Sequence, residues 1–129
     1  MKRILLFSKP TTFGAKGNCA LSSTITSRKA YIKAASSATI TITGGEYSPD
    51  GGVTWTATSG TRGTFPYLLV RGTSSANYLG KGVDLGVVTV TLTVDGKTYT
   101  FVISTSRELY GVDLDGKNVY VPDIGAYEY

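Results

Sequence analysis

The sequence has no histidine, one cysteine and one tryptophan. Without histidine, the Ser-His and Cys-His nucleophile systems and His-containing zinc sites are excluded. With Cys19 alone, no internal disulfide can form, and a disulfide-stapled secreted scaffold is ruled out; pairing between subunits stays open. Long apolar runs are also missing. Ile4-Leu5-Leu6-Phe7 is followed at once by Ser8-Lys9-Pro10, well short of the roughly seven to fifteen apolar residues of a signal peptide. Nothing approaches the ~18 apolar residues of a membrane span. These absences predict a chain made in the cytoplasm with no membrane partner. No stretch carries apolar residues at helical spacing beyond about two turns, so strands must build the fold.

Acid is absent from the first quarter of the chain. Residues 1–33 carry Lys2, Arg3, Lys9, Lys16, Arg28, Lys29 and Lys33 with no Asp or Glu, a balance of +7. Residues 34–107 are near neutral at +1. Residues 108–129 carry Lys117 against Glu108, Asp113, Asp115, Asp123 and Glu128, a balance of −4, together with Tyr110, Tyr120, Tyr127 and Tyr129. Such sorting bears on partners more than on fold. It predicts three parts: a basic N-terminal arm (1–33), a sandwich body (34–107) and an acidic, tyrosine-rich tail (108–129). Opposite ends of identical chains attract. The candidate partner-binding residues are therefore the basic and apolar residues of the arm, Lys2, Arg3, Ile4, Leu6, Phe7, Lys9, Lys16, Arg28, Lys29 and Lys33, with Tyr127 and Tyr129 of the tail. On this reading the arm is a docking element, and removing it leaves a folded body.

The body reads as β. Thr39-Ile40-Thr41-Ile42-Thr43 and Val88-Thr89-Val90-Thr91-Leu92-Thr93-Val94 alternate strictly, so one face of each is apolar. Asp95-Gly96 is a two-residue hairpin turn, and residues 97–104 form the return strand. Further strands are expected at 53–57 and 66–71, with Pro66 suiting a strand start, and at 2–7, 22–27 and 118–121. Residues 30–38 fit a strand or a short helix, a strand the better. Short strands at this spacing, broken by Gly, Pro and Asp-Gly turns, predict an antiparallel β-sandwich. No repeat of 20–50 residues is present.

One segment has the look of a site. Ser48-Pro49-Asp50-Gly51-Gly52-Val53-Thr54-Trp55 fits S-x-D-x-G-x-T-W and resembles the Asp-box hairpin repeated in sialidase-type β-propellers. In that family the motif is a folding element away from the catalytic pocket. The resemblance implies a turn built by Ser48, Asp50, Gly52 and Thr54, with Trp55 packing on the core. A single copy cannot make a propeller of four or more blades. The wider stretch from Thr39 to about Ser106 resembles the small Ig-like modules appended to phage virion proteins and bacterial surface proteins. It carries Gly44-Gly45-Glu46-Tyr47-Ser48, the Asp-box, Val70-Arg71, Ser74-Ser75 and the threonine-alternating hairpin. The final Asp123-Ile124-Gly125-Ala126-Tyr127-Glu128-Tyr129 is similar to the D-[IL]-G-A-Y-E ending of bacterial extracellular β-helix proteins, and implies tyrosines packing on a neighbouring surface.

Other chemistry is thin. Glu46 and Asp50 could form a carboxylate pair for glycoside hydrolysis, but a turn role for Asp50 competes. Asp113-Leu114-Asp115-Gly116-Lys117-Asn118 misplaces the glycine and lacks the distal Glu of a calcium loop. The basic residues lack a known nucleic-acid motif, which disfavours nucleic acid as partner. The sequence therefore predicts an all-β, Ig-like antiparallel sandwich without cofactor, metal or catalytic residues. The expected function is a non-enzymatic structural protein of a phage virion, a capsid-decoration or head, neck or tail accessory protein, binding copies of itself or another virion protein. The alternative is an adhesion module of a bacterial surface protein that recognises glycans.

Overall fold

A computed structural model describes residues 9–112 and 118–120. It is all-β, with no helix among the described residues. The strands are β1 (Ala15–Cys19), β2 (Thr24–Thr26), β3 (Thr39–Thr43), β4 (Glu46–Ser48), β5 (Gly60–Thr61), β6 (Leu69–Thr73), β7 (Val87–Val94), β8 (Lys97–Thr105), β9 (Leu109–Val112) and β10 (Asn118–Tyr120). Five form a sheet in the order β1-β8-β7-β3-β5, and three form a second in the order β2-β6-β4. β9 and β10 pair as a separate antiparallel hairpin. All pairings are antiparallel except β1 with β8.

The alternation in β3 and β7 sets which face each residue takes. Val90, Leu92 and Val94 of β7, Ile40 of β3 and Phe101 and Ile103 of β8 are buried on the inner face. Val70 and Tyr47 of the smaller sheet belong to the same core. The threonines point outward and meet across the strands, Thr41 and Thr43 opposite Thr93 and Thr91, and these opposite Thr98 and Thr100. Such cross-strand pairs fix register as well as adding stability. The β7–β8 turn has φ of 51° at Asp95 and 83° at Gly96, the two positive values that a type I′ turn requires.

Three expectations change. First, the described part of residues 1–33 is not an arm. β1 pairs with β8, Ala15 opposite Val102 and Lys16 opposite Ile103, and covers that edge of the larger sheet. Phe13, Cys19, Ala30 and Ile32 are buried in the common core, and Phe13 meets Tyr99 edge to face at 6.5 Å. Ala-Lys-Gly-Asn-Cys carries no apolar alternation, so only a long-range partner makes it a strand. Second, residues 53–57 are not a strand. Val53 is 80% exposed, and only Thr56 makes a bridge, to Tyr47. The Asp50 carboxylate holds the Thr54 N–H, which draws this backbone into the turn. Third, residues 30–38 are neither strand nor helix. Ala30 bridges Leu68, and a turn closes from the Ala38 N–H to the Ala35 carbonyl. The proposed strand at 2–7 and the residues Lys2, Arg3, Ile4, Leu6, Phe7, Tyr127 and Tyr129 lie outside the described residues.

Candidate functional site

The segment that resembles an Asp-box, residues 48–55, connects β4 to the loop before β5. The buried Ser48 hydroxyl donates to Asp50 Oδ1 at 2.8 Å and accepts the Gly52 N–H at 2.8 Å. Asp50 also accepts the Thr54 hydroxyl through Oδ2 at 2.6 Å and the Thr54 N–H through Oδ1 at 2.9 Å. These bonds stabilise the carboxylate, the Thr54 hydroxyl most, and hold its pKa down at about 2. Gly51 and Gly52 supply φ of 78° and 97°, which side-chain-bearing residues rarely adopt. Trp55 differs from expectation. It is half-buried, not in the core, and the Arg71 guanidinium lies over its ring at 4.2 Å. Arg71 is held in turn by Glu46 Oε1 at 2.8 Å. Asp50 is thus committed to the turn and Glu46 to an ion pair, so they are not a poised acid and base. Among the described residues no cluster of three or more Cys, Asp or Glu could hold a metal ion.

The arrangement with binding chemistry lies at the end of the sandwich where the β7–β8 turn meets two connections, residues 31–38 and 62–66. An open groove of about 1030 Å³ is lined there by Lys9, Lys33, Arg62 and Lys97, by Tyr31, Phe65 and Tyr99, and, among the described residues, by no Asp or Glu. Its frame is backbone. The Arg62 N–H donates to the Ala38 carbonyl, the Gly63 N–H to Ser36 and the Asp95 N–H to Thr39. Two of its lining rings pack on Tyr67, which lies outside the lining, Tyr31 edge to face at 5.5 Å and Phe65 at 4.9 Å. Two ammonium groups sit on ring faces, Lys9 over Tyr31 at 5.2 Å and Lys29 over Tyr67 at 4.7 Å.

Arg62 stands apart from the other cations. It is only 4% exposed. Its Nε donates to the Ile32 carbonyl at 3.0 Å, while the buried Nη1 has no acceptor among the described residues. Burial disfavours the charged form and pushes the pKa down.

Of the basic residues singled out in the sequence, Lys9 and Lys33 come together in the groove, while Lys29 lies over Tyr67, outside the groove lining. Lys16 lies on exposed β1, and Arg28 is tied to Thr12, Nε to the carbonyl at 3.0 Å and Nη2 to the hydroxyl at 2.8 Å. Sequence reading missed Arg62, Lys97, Tyr31, Phe65 and Tyr99, which no common period connects. The one local signal is Phe65-Pro66-Tyr67, two aromatics around a proline just after Arg62-Gly63. Comparison with protein-family models, with curated proteins and with solved structures finds no match.

Proposed function

We propose that the chain is a non-enzymatic structural protein of a phage virion, a capsid-decoration or head, neck or tail accessory protein made in the host cytoplasm. It docks on other copies of itself or on another virion protein. The observation that carries this reading is the groove: four cations and three aromatic residues with no carboxylate among the described lining residues, in a chain whose residues 108–129 carry a balance of −4. Opposed charge gives orientation and speed of encounter, and apolar burial gives most of the affinity. The Ig-like reading of the core is supported by strand neighbours. β3, β7 and β8 lie side by side in one sheet, and β2, β6 and β4 in the other, as the C, F, G and B, E, D strands do in an immunoglobulin sandwich. The docking element moves from the arm of residues 1–33 to the folded end of the sandwich.

Native mass spectrometry and sedimentation velocity test this reading. A chain that remains a monomer at every attainable concentration removes the case for a particle subunit. A second reading, a glycan-binding adhesion module, is favoured by Tyr31, Phe65 and Tyr99 along the groove. Saturable binding of neutral oligosaccharides by a monomeric chain would select it.

A further inference from the structure

We propose that the Arg62 guanidinium anchors a carboxylate-binding site at the floor of the groove, and that residues 121–129 of a second copy supply the carboxylate. This rests on the docking function above and names its partner segment. A buried guanidinium with an unpartnered Nη1 is costly to keep, and such a charge is ordinarily paired. None of the described residues lining the groove is acidic, so none of them supplies the pair. The planar fork of arginine matches a carboxylate, while Lys9, Lys33 and Lys97 at the exposed rim attract it.

The second half of the inference is the choice of segment. Val121-Pro122-Asp123-Ile124-Gly125-Ala126-Tyr127-Glu128-Tyr129 offers two carboxylates and two tyrosines and contains no Lys or Arg. Flexible acidic side chains can reach a recessed guanidinium, and tyrosine rings can join an edge-to-face cluster such as Tyr31, Phe65 and Tyr67. An acidic sugar fits less well, because ammonium groups already lie over the faces of Tyr31 and Tyr67 where a sugar ring would stack. A peptide strand also satisfies the self-association that the sorted charges call for.

The test uses the full chain and a fluorescein-labelled peptide of residues 121–129. Fluorescence anisotropy should show saturable binding, and sedimentation velocity should show self-association. Arg62→Met should weaken both at least about tenfold, as should the paired changes Asp123→Asn and Glu128→Gln within the full chain. Lys33→Glu, a substitution at an exposed position, serves as a second groove variant should Arg62→Met fold poorly. Lys16→Glu, with the same charge change at an exposed position outside the groove, should alter binding by less than about threefold. If the chain assembles but none of the groove or tail variants weakens assembly, this inference is wrong and the docking function stands. If the chain remains a monomer and the peptide does not bind, both fail. Arg62-dependent binding of a uronic-acid oligosaccharide without self-association would overturn the peptide and favour the adhesion reading.

Discussion

Removing residues 1–33 should unfold the protein. The segment contains Phe13 at 1% exposure, Ala30 at 0% and Ile32 at 3%, and it contains β1, the parallel partner of β8. Truncating a buried Phe to Ala costs about 3–5 kcal/mol, and a buried Ile about 2–5 kcal/mol. Phe13 and Ile32 together are therefore worth roughly 5–10 kcal/mol, comparable to the ~5–15 kcal/mol that holds a typical domain folded. The exposed edge of β8 adds a further loss, since its hydrogen-bonding groups would face solvent or another chain. Phe13→Ala alone should lower the melting temperature by about 10–20 °C. Urea titration followed by far-UV circular dichroism and by Trp55 fluorescence measures both. The expected result is a destabilised but cooperative Phe13→Ala variant and a truncated chain with no cooperative transition. A truncated chain that melts cooperatively near the full-length midpoint would refute the placement of this segment in the core.

Ser48→Ala should cost about 1–3 kcal/mol in urea titration, because it leaves the Gly52 N–H without its acceptor. Trp55→Ala should cost well under the ~3–5 kcal/mol of a core tryptophan, since the side chain is half-buried and gains about 0.5–1 kcal/mol from Arg71; an equal or larger loss than Phe13→Ala would contradict that placement. The Asp50 pKa is held at about 2, below the ordinary 3.8, so its contribution to stability is present above about pH 4 and disappears as pH falls towards 2. Melting temperatures recorded across that window should fall less steeply for Asp50→Asn than for the natural chain. Glycosides, sialosides included, should show no enzyme-dependent hydrolysis in a chromogenic assay, because Asp50 is tied to Ser48 and Thr54, and Glu46 to Arg71; turnover abolished by Glu46→Gln would defeat this.

The parts of the fold written into local pattern were legible. Strict alternation placed β3 and β7, and Asp95-Gly96 placed the turn between β7 and β8. Irregular segments were not. β1 has one buried residue, Cys19, and becomes a strand through β8, more than 80 positions later in sequence. Residues 53–57 alternate like a strand, yet the Asp50 carboxylate binds the Thr54 N–H more locally than any sheet partner could. The groove was legible only in Lys9 and Lys33. Arg62 looks like any surface arginine in sequence; it is held by the carbonyls of Ile32 and Ala38, which the backbone brings to it from another connection.

Sorting of charge along a chain becomes sorting in space only if the fold carries it there. A flexible arm with seven cations would bind through transient contacts and would lose much of its freedom on docking, a cost of ordering that reduces affinity. The folded chain takes another route. Lys9 and Lys33 leave the N-terminal third and meet Lys97 of β8 and Arg62 beyond β5 at one end of the sandwich. Backbone hydrogen bonds from Arg62, Gly63 and Asp95 fix that end before any partner arrives. The cations are therefore already ordered, which lowers the cost of binding on this side of a contact. Preorganisation of this kind favours slow release over fast capture. Raising salt should accordingly slow association through the exposed lysines while leaving much of the bound lifetime intact, since a carboxylate docked on the recessed Arg62 would be shielded from screening ions. Surface plasmon resonance across an ionic-strength series separates the two rates. A release rate that rises as steeply with salt as the association rate falls would mean that the exposed lysines alone hold the partner and that Arg62 does not.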